Sequence, residues 1–490
     1  MSIRRILLVT PRRRQAKTSN KRCIIPVGIA YIGATLEREG YEVQLLDSVV
    51  EGYNIEDPVP GTGDIVYGLS LDAIEEKIRA FEPDLVGISC RFSSEIYGCY
   101  DLAKLVKKID KNIVTVIGGL HPSYFAREIL KKEPCMDYVI LGEGEYRLAN
   151  LISRLNAKEN LELFDGIAFR ADKDVILQSA NRNIDDLDNL PLPARHLLPM
   201  DKYISINVPV APYPLKRRVG IIMTSRGCAY SCLFCASCNF FGHAFRARSI
   251  DNIMLEMKEL VDNYGIEEFQ FLDDNLTWDR QRAKKLFTRM RDELDIVWCT
   301  PNGVMLSAID EEMLSLMRQS GCYQLSFSVE SASKRILREV INKPLDLNII
   351  EPLVRKAQRL GISLHGNFVI GFPDETPQEL RETFRFMRKM RFNSVSVAIV
   401  DPIPGSRLYE LCEKKDLFID GLEETRFNSR RANIKVEHFK PGELEKIASR
   451  ENQLYNLSEI FRHPSKFFKK YIVNFIRKPN SKNLRLRHDT

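Results

Sequence analysis

Cys228-Ala229-Tyr230-Ser231-Cys232-Leu233-Phe234-Cys235 is the stretch that decides how the chain is read. It follows an apolar run at 219–223 and a turn, Thr224-Ser225-Arg226-Gly227. Cysteine thiolate is the usual ligand of iron–sulfur clusters, and three thiols spaced in this way suit three corners of a cubane cluster. Three protein ligands leave one iron open to a further group. Zinc also accepts cysteine ligands, so from these residues alone a zinc site stays open. Cys238 continues the spacing and is read as a bystander, not as a fourth ligand that would close the open iron.

The 490 residues suffice for two or three domains with sizeable cores. A hydrophobic content of 44% and a charged content of 28% are those of a globular protein, and a net charge of +6 does not argue for nucleic acid. There is no cleavable apolar segment after Met1-Ser2-Ile3-Arg4-Arg5 and no run of roughly 20 apolar residues that would span a bilayer. A cytoplasmic, reducing compartment is expected, where clustered cysteines bind metal more often than they form disulfides. Cys23, Cys90, Cys99, Cys135, Cys299, Cys322 and Cys412 read as ordinary buried residues.

Upstream of the cysteines, residues 1–155 alternate strand and helix. Strands are expected at 6–10, 43–47, 85–89, 114–117 and 138–141, with helices near 29–38 and 71–81. This pattern gives a doubly wound parallel sheet of α/β class, and ligands of such sheets sit beyond the carboxyl ends of the strands. Those ends are Thr10, Asp47, Ser89, Gly118-Gly119 and Gly142-Glu143-Gly144-Glu145. No G-x-G-x-x-G follows the first strand, which argues against a dinucleotide. The basic stretch from Arg12 to Arg22 reads as a solvated loop, with contact to an anionic substrate or to a cofactor phosphate as its alternative.

Residues 156–215 read as a connector with a hairpin around Asp172-Lys173 and prolines that hold the flanking domains apart. From 216 to 410 six strand–helix units follow, with strands at 219–223, 268–272, 296–301, 324–329, 363–370 and 394–400. Ser249 and Asp310 are expected helix caps. Six such units make a partial, TIM-like (βα)6 barrel, whose functional groups belong at the carboxyl ends of its strands. Residues 411–490 read as a helical extension.

With these strand ends in view, the chain resembles the radical S-adenosylmethionine (SAM) superfamily, and its N-terminal part resembles the cobalamin-binding domain that precedes many of those enzymes. The resemblance runs from about residue 6 to 406. It rests on the cysteine loop, on Ser328-Val329-Glu330-Ser331, on residues 366–376, and on Pro26-Val27-Gly28-Ile29-Ala30-Tyr31-Ile32-Gly33 with 117–122 and 141–145. Departures are Ala229 where proline is common, Ser328 and Asp374 where glycine is common, and the missing D-x-H-x-x-G whose histidine ligates cobalt.

The resemblance implies a [4Fe-4S] cluster on Cys228, Cys232 and Cys235. It implies SAM contacts from Phe234, Asp273, Asp274, Arg248, Glu330, Val369, Ile370 and Gly371. Cobalamin contacts would come from Ser89, Arg91, Gly118, Gly119, His121, Gly142, Glu143 and Gly144. The bland reading of Asp273 and Asp274 is a helix start rich in acids, and that of His121 is a structural role beside Pro122. The implied activity is reductive cleavage of SAM to a 5′-deoxyadenosyl radical, with cobalamin-dependent methyl transfer to an unactivated carbon of a small-molecule, lipid or envelope-related substrate. A cobalamin-dependent cyclase is the alternative, and a non-catalytic cobalamin or Fe–S sensor a further one. A flavodoxin or ferredoxin would supply electrons. The basic, aromatic stretch at 467–478 reads either as a helix on the inner face of the membrane or as one docked on the barrel.

Overall fold

The apolar runs of the first third become parallel neighbours in a seven-stranded sheet. In space the order is Asp174–Gln178, Ile167–Ala171, Tyr138–Ile140, Val114–Gly118, Leu85–Ser89, Arg5–Thr10 and Glu42–Asp47. These are seen in a computed structural model that describes residues 2–171, 174–211, 214–419 and 429–462. Parallel strands with helices on both faces are buried on both faces, which is why they read as continuous apolar stretches. Along the first strand Leu7 and Val9 join one core with helices Leu71–Phe81 and Ile96–Ile109. Ile6 and Leu8 join the opposite core with helices Val27–Arg38 and Glu145–Ala157.

Two expectations are corrected here. The hairpin at 167–178 was expected in the connector; it instead pairs antiparallel with Tyr138–Ile140 and extends the first sheet. The stretch from Arg12 to Arg22 is not a plain solvated loop. Arg13–Ala16 is an edge strand of a small antiparallel sheet with Asp64–Tyr67 and Glu56–Val59, and three cations of the stretch are paired there. Arg12 meets Asp57 at 2.5 Å, Arg14 meets Asp64 at 3.0 Å, and Lys21 meets Glu56 at 2.6 Å.

The second sheet has six parallel strands in chain order: Val219–Ile222, Glu268–Phe271, Val297–Thr300, Cys322–Glu330, Ser363–Ile370 and Ser394–Ile399. Ser249 caps Ile250–Tyr264 and Asp310 caps Glu311–Gln319, as the sequence predicts. Ile336–Val340, after the fourth strand, is a single wide π turn. In Ser363–Ile370 alternate residues are buried: Leu364, Phe368 and Ile370 pack into the helix-covered core. His365, Asn367 and Val369 are half-buried and face the barrel interior. Helix Glu443–Arg462 covers the last strand, and the Asn452 amide both donates to and accepts from the backbone of Val397, at 2.9 Å each. No helix among the described residues is long and apolar enough to cross a membrane. The stretch at 467–478 lies outside the described residues.

Candidate functional site

The cysteine loop leaves the first barrel strand through Gly227. Its φ is +87°, and a Cβ there would stand 2.2 Å from the Ala244 carbonyl oxygen, so no other residue fits. Ser225–Arg226 then pairs antiparallel with Arg246–Ala247. Leu233 donates its N–H to the Ile341 carbonyl at 2.8 Å, and its own carbonyl accepts from Leu408 N–H at 2.8 Å. The loop is thereby tied to segments that follow the fourth and the sixth barrel strands.

Cys228, Cys232 and Cys235 are half-buried, and burial pushes the thiols of Cys232 up to about 11 and Cys235 up to about 12. Metal binding needs the thiolate, so the loop requires compensating charge and donors. Both are present. Asn275 Nδ2 lies 3.0 Å from Cys228 Sγ, and the ammonium of Lys343 lowers the pKa of Cys232 against the burial effect. This donor set fits a cluster. Cys238 is buried in the short helix Ser237–Phe241, with its thiol 3.8 Å from the Cys235 carbonyl. Among the described residues no three His, Cys, Asp or Glu side chains converge as the ligands of a single ion would.

The expected SAM residues divide. Glu330 ends the fourth strand with a φ of +67°, unusual for a residue other than glycine, after a register shift between Ser328 and Glu330. Lys343 holds it, with Nζ 3.0 Å from its Oε1 and 2.5 Å from the Ser328 carbonyl. Phe234 lies 6.1 Å from the ring of Phe372, and Val369 faces the same interior. Thr300 Oγ1, at the end of the third strand, is buried with no partner among the described residues, so a polar ligand group fits there.

Four further expected SAM residues have side chains or N–H groups engaged within the protein. Asp273 accepts from Thr224 N, Thr224 Oγ1 and Ser225 Oγ at 3.1, 2.6 and 2.5 Å, so it anchors the loop before the cysteines. Asp274 accepts from Ser237 Oγ at 2.5 Å. Ile370 buries its side chain on the outer core, and Gly371 turns there with φ +85° while its N–H donates to Glu375 at 2.6 Å. Burial pushes Glu375 up to about 8 despite that bond.

The arginines after the loop bind protein. Arg248 donates from all three guanidinium nitrogens: to Asn252 Oδ1 at 2.6 Å, to Tyr31 Oη at 3.2 Å, to the Met223 and Asn252 carbonyls, and to Glu256. Nη2 makes one of these bonds, to the Asn252 carbonyl, and its second N–H is the donor left for a SAM carboxylate. Arg226 reaches Glu143 at 2.8 Å and Glu145 at 2.6 Å, and Arg246 reaches Glu143 at 2.9 Å. Glu143 is thus not a free cobalamin contact. Burial alone would push its carboxyl up; Arg226 and Arg246 hold it below the ordinary range.

At the carboxyl edge of the N-terminal sheet, Thr10 Oγ1, Ser48 Oγ and Arg91 Nε are buried without partners among the described residues. Such orphaned groups call for polar ligand atoms, and the amide-rich rim of a corrin offers them. Gly118 has room: a Cβ there would meet only Ile140, at 3.7 Å. Gly119 is needed by the fold itself, because a Cβ would stand 2.2 Å from the Cys90 carbonyl oxygen. Gly142 turns with φ +65° and Gly144 begins the helix bearing Glu145. Ser89 pairs with Gly118, and Arg91 is paired with Glu95 at 3.1 Å. His121 is buried with Nδ1 2.9 Å from Ser93 Oγ and its ring 4.7 Å from that of Phe125. Burial pushes its pKa down to about 4.

Asn275, Lys343, His365 and Asn367 were not singled out from sequence. The polar alternation in Ser363-Leu364-His365-Gly366-Asn367 is the signal for the last two. Lys343 lies beyond the π turn and carries no local signal.

A parallel six-stranded barrel with a three-cysteine loop at its first strand, preceded by an open sheet with an orphaned polar edge, defines a two-cofactor radical enzyme. A B12 binding domain model matches residues 17–152, and a radical SAM superfamily model matches residues 222–387. The cytidylyl-2-hydroxyethylphosphonate methyltransferase of Streptomyces wedmorensis is 36% identical over 92% of this chain and 90% of its own length. An uncharacterized methyltransferase of Pyrococcus horikoshii is 31% identical over 97% of this chain and 99% of its own. The anaerobic magnesium-protoporphyrin IX monomethyl ester cyclase of Rubrivivax gelatinosus is 28% identical over 80% of this chain and 67% of its own. The fold matches the radical SAM methyltransferase TsrM of Kitasatospora setae, with cobalamin and a [4Fe-4S] cluster bound, at a TM-score of 0.66 and 18% identity over 86% of this chain and 77% of that one. The chain belongs to the cobalamin-dependent radical SAM methyltransferase family. Its cofactors are a [4Fe-4S] cluster, SAM and cobalamin.

Proposed function

We propose that this enzyme transfers a methyl group to an unactivated carbon of a small-molecule substrate held between its two domains. The observation that carries this reading is the buried junction of Glu143 with Arg226 and Arg246, which fixes the cobalamin-domain edge against the cysteine loop. Two cofactors can act on one substrate only if their separation is set, since positioning supplies much of the rate. The identity to the S. wedmorensis enzyme supports methyl transfer to a compound of the phosphonate class named for that relative.

When bound, the reduced cluster with SAM supplies a 5′-deoxyadenosyl radical that abstracts hydrogen from carbon, and cobalamin carries the methyl group. The chain's own residues hold and orient. Cys228, Cys232 and Cys235 hold the cluster, Asn275 donates to Cys228, and Lys343 balances charge beside Cys232. Lys343 also fixes Glu330 for a polar contact to SAM. Phe234 and Val369 give an apolar wall for a planar base. A one-electron donor of the flavodoxin or ferredoxin class supplies the reductant.

A second reading, ring closure without methyl transfer, rests on the identity to the cyclase. Anaerobic reconstitution with iron, sulfide, cobalamin, SAM, reductant and a candidate phosphonate separates the two. S-adenosylhomocysteine and 5′-deoxyadenosine formed together, only with cobalamin, are expected. 5′-Deoxyadenosine without S-adenosylhomocysteine would favour the cyclase, and neither product would sink both.

A further inference from the structure

Beside the switch point of the N-terminal sheet, where the chain leaves Arg5–Thr10 in one direction and Leu85–Ser89 in the other, a cavity of about 280 Å³ opens. It lies between the small antiparallel sheet and helices Leu71–Phe81 and Ile96–Ile109. Crevices at such points are where open α/β sheets take ligands. Its walls are apolar: Pro11, Pro58, Val66, Leu71, Ile74 and Leu102. Its volume is just under the range of roughly 300–1,000 Å³ for ordinary ligand pockets, so one ring and its substituent fill it. Gly98 permits the helix to close on the loop, since a Cβ there would stand 2.9 Å from the Arg12 carbonyl oxygen.

Into this apolar space come two guanidinium groups. Arg12 and Arg14 both line it, and each is oriented by a carboxylate of the small sheet, Asp57 and Asp64. Each retains a buried nitrogen, Arg12 Nε and Arg14 Nη2, without a hydrogen-bond partner among the described residues. Unpartnered buried donors cost free energy that a ligand acceptor restores. Two such donors, from Arg12 just before the strand Arg13–Ala16 and from Arg14 within it, match an oxyanion that takes several hydrogen bonds. Ser94 and Tyr97 add hydroxyl groups to the lining. The opposing acids are Asp57, spent on Arg12, and Asp101 of the long helix, whose carboxyl burial pushes toward the neutral form.

We propose that this cavity binds a phosphoryl-bearing small molecule, with Arg12 and Arg14 taking the phosphoryl oxygens and the proline-rich wall taking an apolar ring. The site is independent of the methyl-transfer reading, because nothing in it touches the cysteine loop. The volume, which one ring and its substituent fill, favours a free phosphorylated metabolite over the nucleotide tail of cobalamin, whose two-ring base and ribose are larger.

The test is calorimetric titration of phenyl phosphate into the full-length chain, with phenol as the uncharged match. Saturable binding of phenyl phosphate, weakened about tenfold or more in Arg12→Met and in Arg14→Met, is expected. Because these changes also release Asp57 and Asp64, Leu71→Trp provides a variant that fills the cavity and leaves the arginines alone; it should abolish binding with melting temperature retained. Competition then assigns the source. Displacement by neither cobalamin nor cobinamide, which lacks the nucleotide tail, is expected; displacement by cobalamin alone would assign the cavity to the cofactor and overturn the proposal. Equal affinity for phenol, no saturable binding, or unchanged affinity in all three variants would overturn the proposal.

Discussion

Glu143, in the loop that closes the N-terminal sheet, and Arg226, two residues before the first cluster cysteine, form a buried ion pair at 2.8 Å. Arg246 shares the same carboxylate at 2.9 Å and donates to the Ile184 carbonyl at 2.5 Å, so domain, connector and barrel meet on one residue. Removing one partner of a buried pair strands the other charge. Glu143→Ala is expected to destabilise the protein by about 3–5 kcal/mol, and Glu143→Gln by less, because the amide still accepts hydrogen bonds. Denaturant unfolding of both variants measures this. Equal stability to the parent would mean the junction carries no load.

Cys238→Ala should leave the cluster intact, since that thiol is turned to the Cys235 carbonyl and buried in its own helix. Cys228→Ala, Cys232→Ala and Cys235→Ala should each abolish stable loading. Iron and sulfide content with low-temperature electron paramagnetic resonance of the reduced protein distinguishes the four. A Cys238→Ala protein that loses its signal would make it a ligand.

How much of this was legible in the residues depends on distance along the chain. The strand ends were readable because parallel strands buried on both faces are apolar throughout and stop abruptly at glycines and acids. The three cysteines were readable because their spacing is local. What was hidden is which polar groups are already engaged. Arg248 looked available until Glu256, Asn252 and Tyr31 were seen around it, and Tyr31 lies 217 residues away. Glu143 looked like part of a ligand-binding loop, yet its partners are 83 and 103 residues further on. A single sequence carries no sign of such pairings. The role of Lys343 was hidden likewise, because a π turn breaks the periodicity that would have placed it.

Lys343 and Glu330 give a test of the SAM side. Lys343→Met leaves the Glu330 carboxylate without its cation, and the dissociation constant for SAM should rise about tenfold or more. Glu330→Gln combined with Lys343→Met should cost less than the sum of the single changes. Equilibrium dialysis of labelled SAM against the reconstituted protein reads both. An unchanged constant in Lys343→Met would remove Lys343 from the site.

His121 gives a pH dependence. Its pKa is pushed down to about 4 by burial, against roughly 6.5 for a free histidine. Between these values the unfolded chain binds the proton and the folded one does not, so stability rises with pH across this window. Acidifying from pH 6.5 to 4 should cost up to about 3 kcal/mol from this residue alone. Across that range the melting temperature of the parent should fall relative to that of His121→Gln as the pH falls. Parallel curves would show that His121 titrates normally.

The Asn452 side chain, with its two hydrogen bonds to Val397, has a consequence for handling the protein. An open barrel ends in a strand whose outer N–H and C=O groups would pair with any extended chain that came near. Asn452 occupies that edge in the manner of an added strand residue, and the helix around it shields the rest. A chain cut before Glu443 would bare most of this adhesive edge, Ile399 N–H keeping the Ser429 carbonyl as its partner. It would be lost to inclusion bodies, not to loss of catalytic groups.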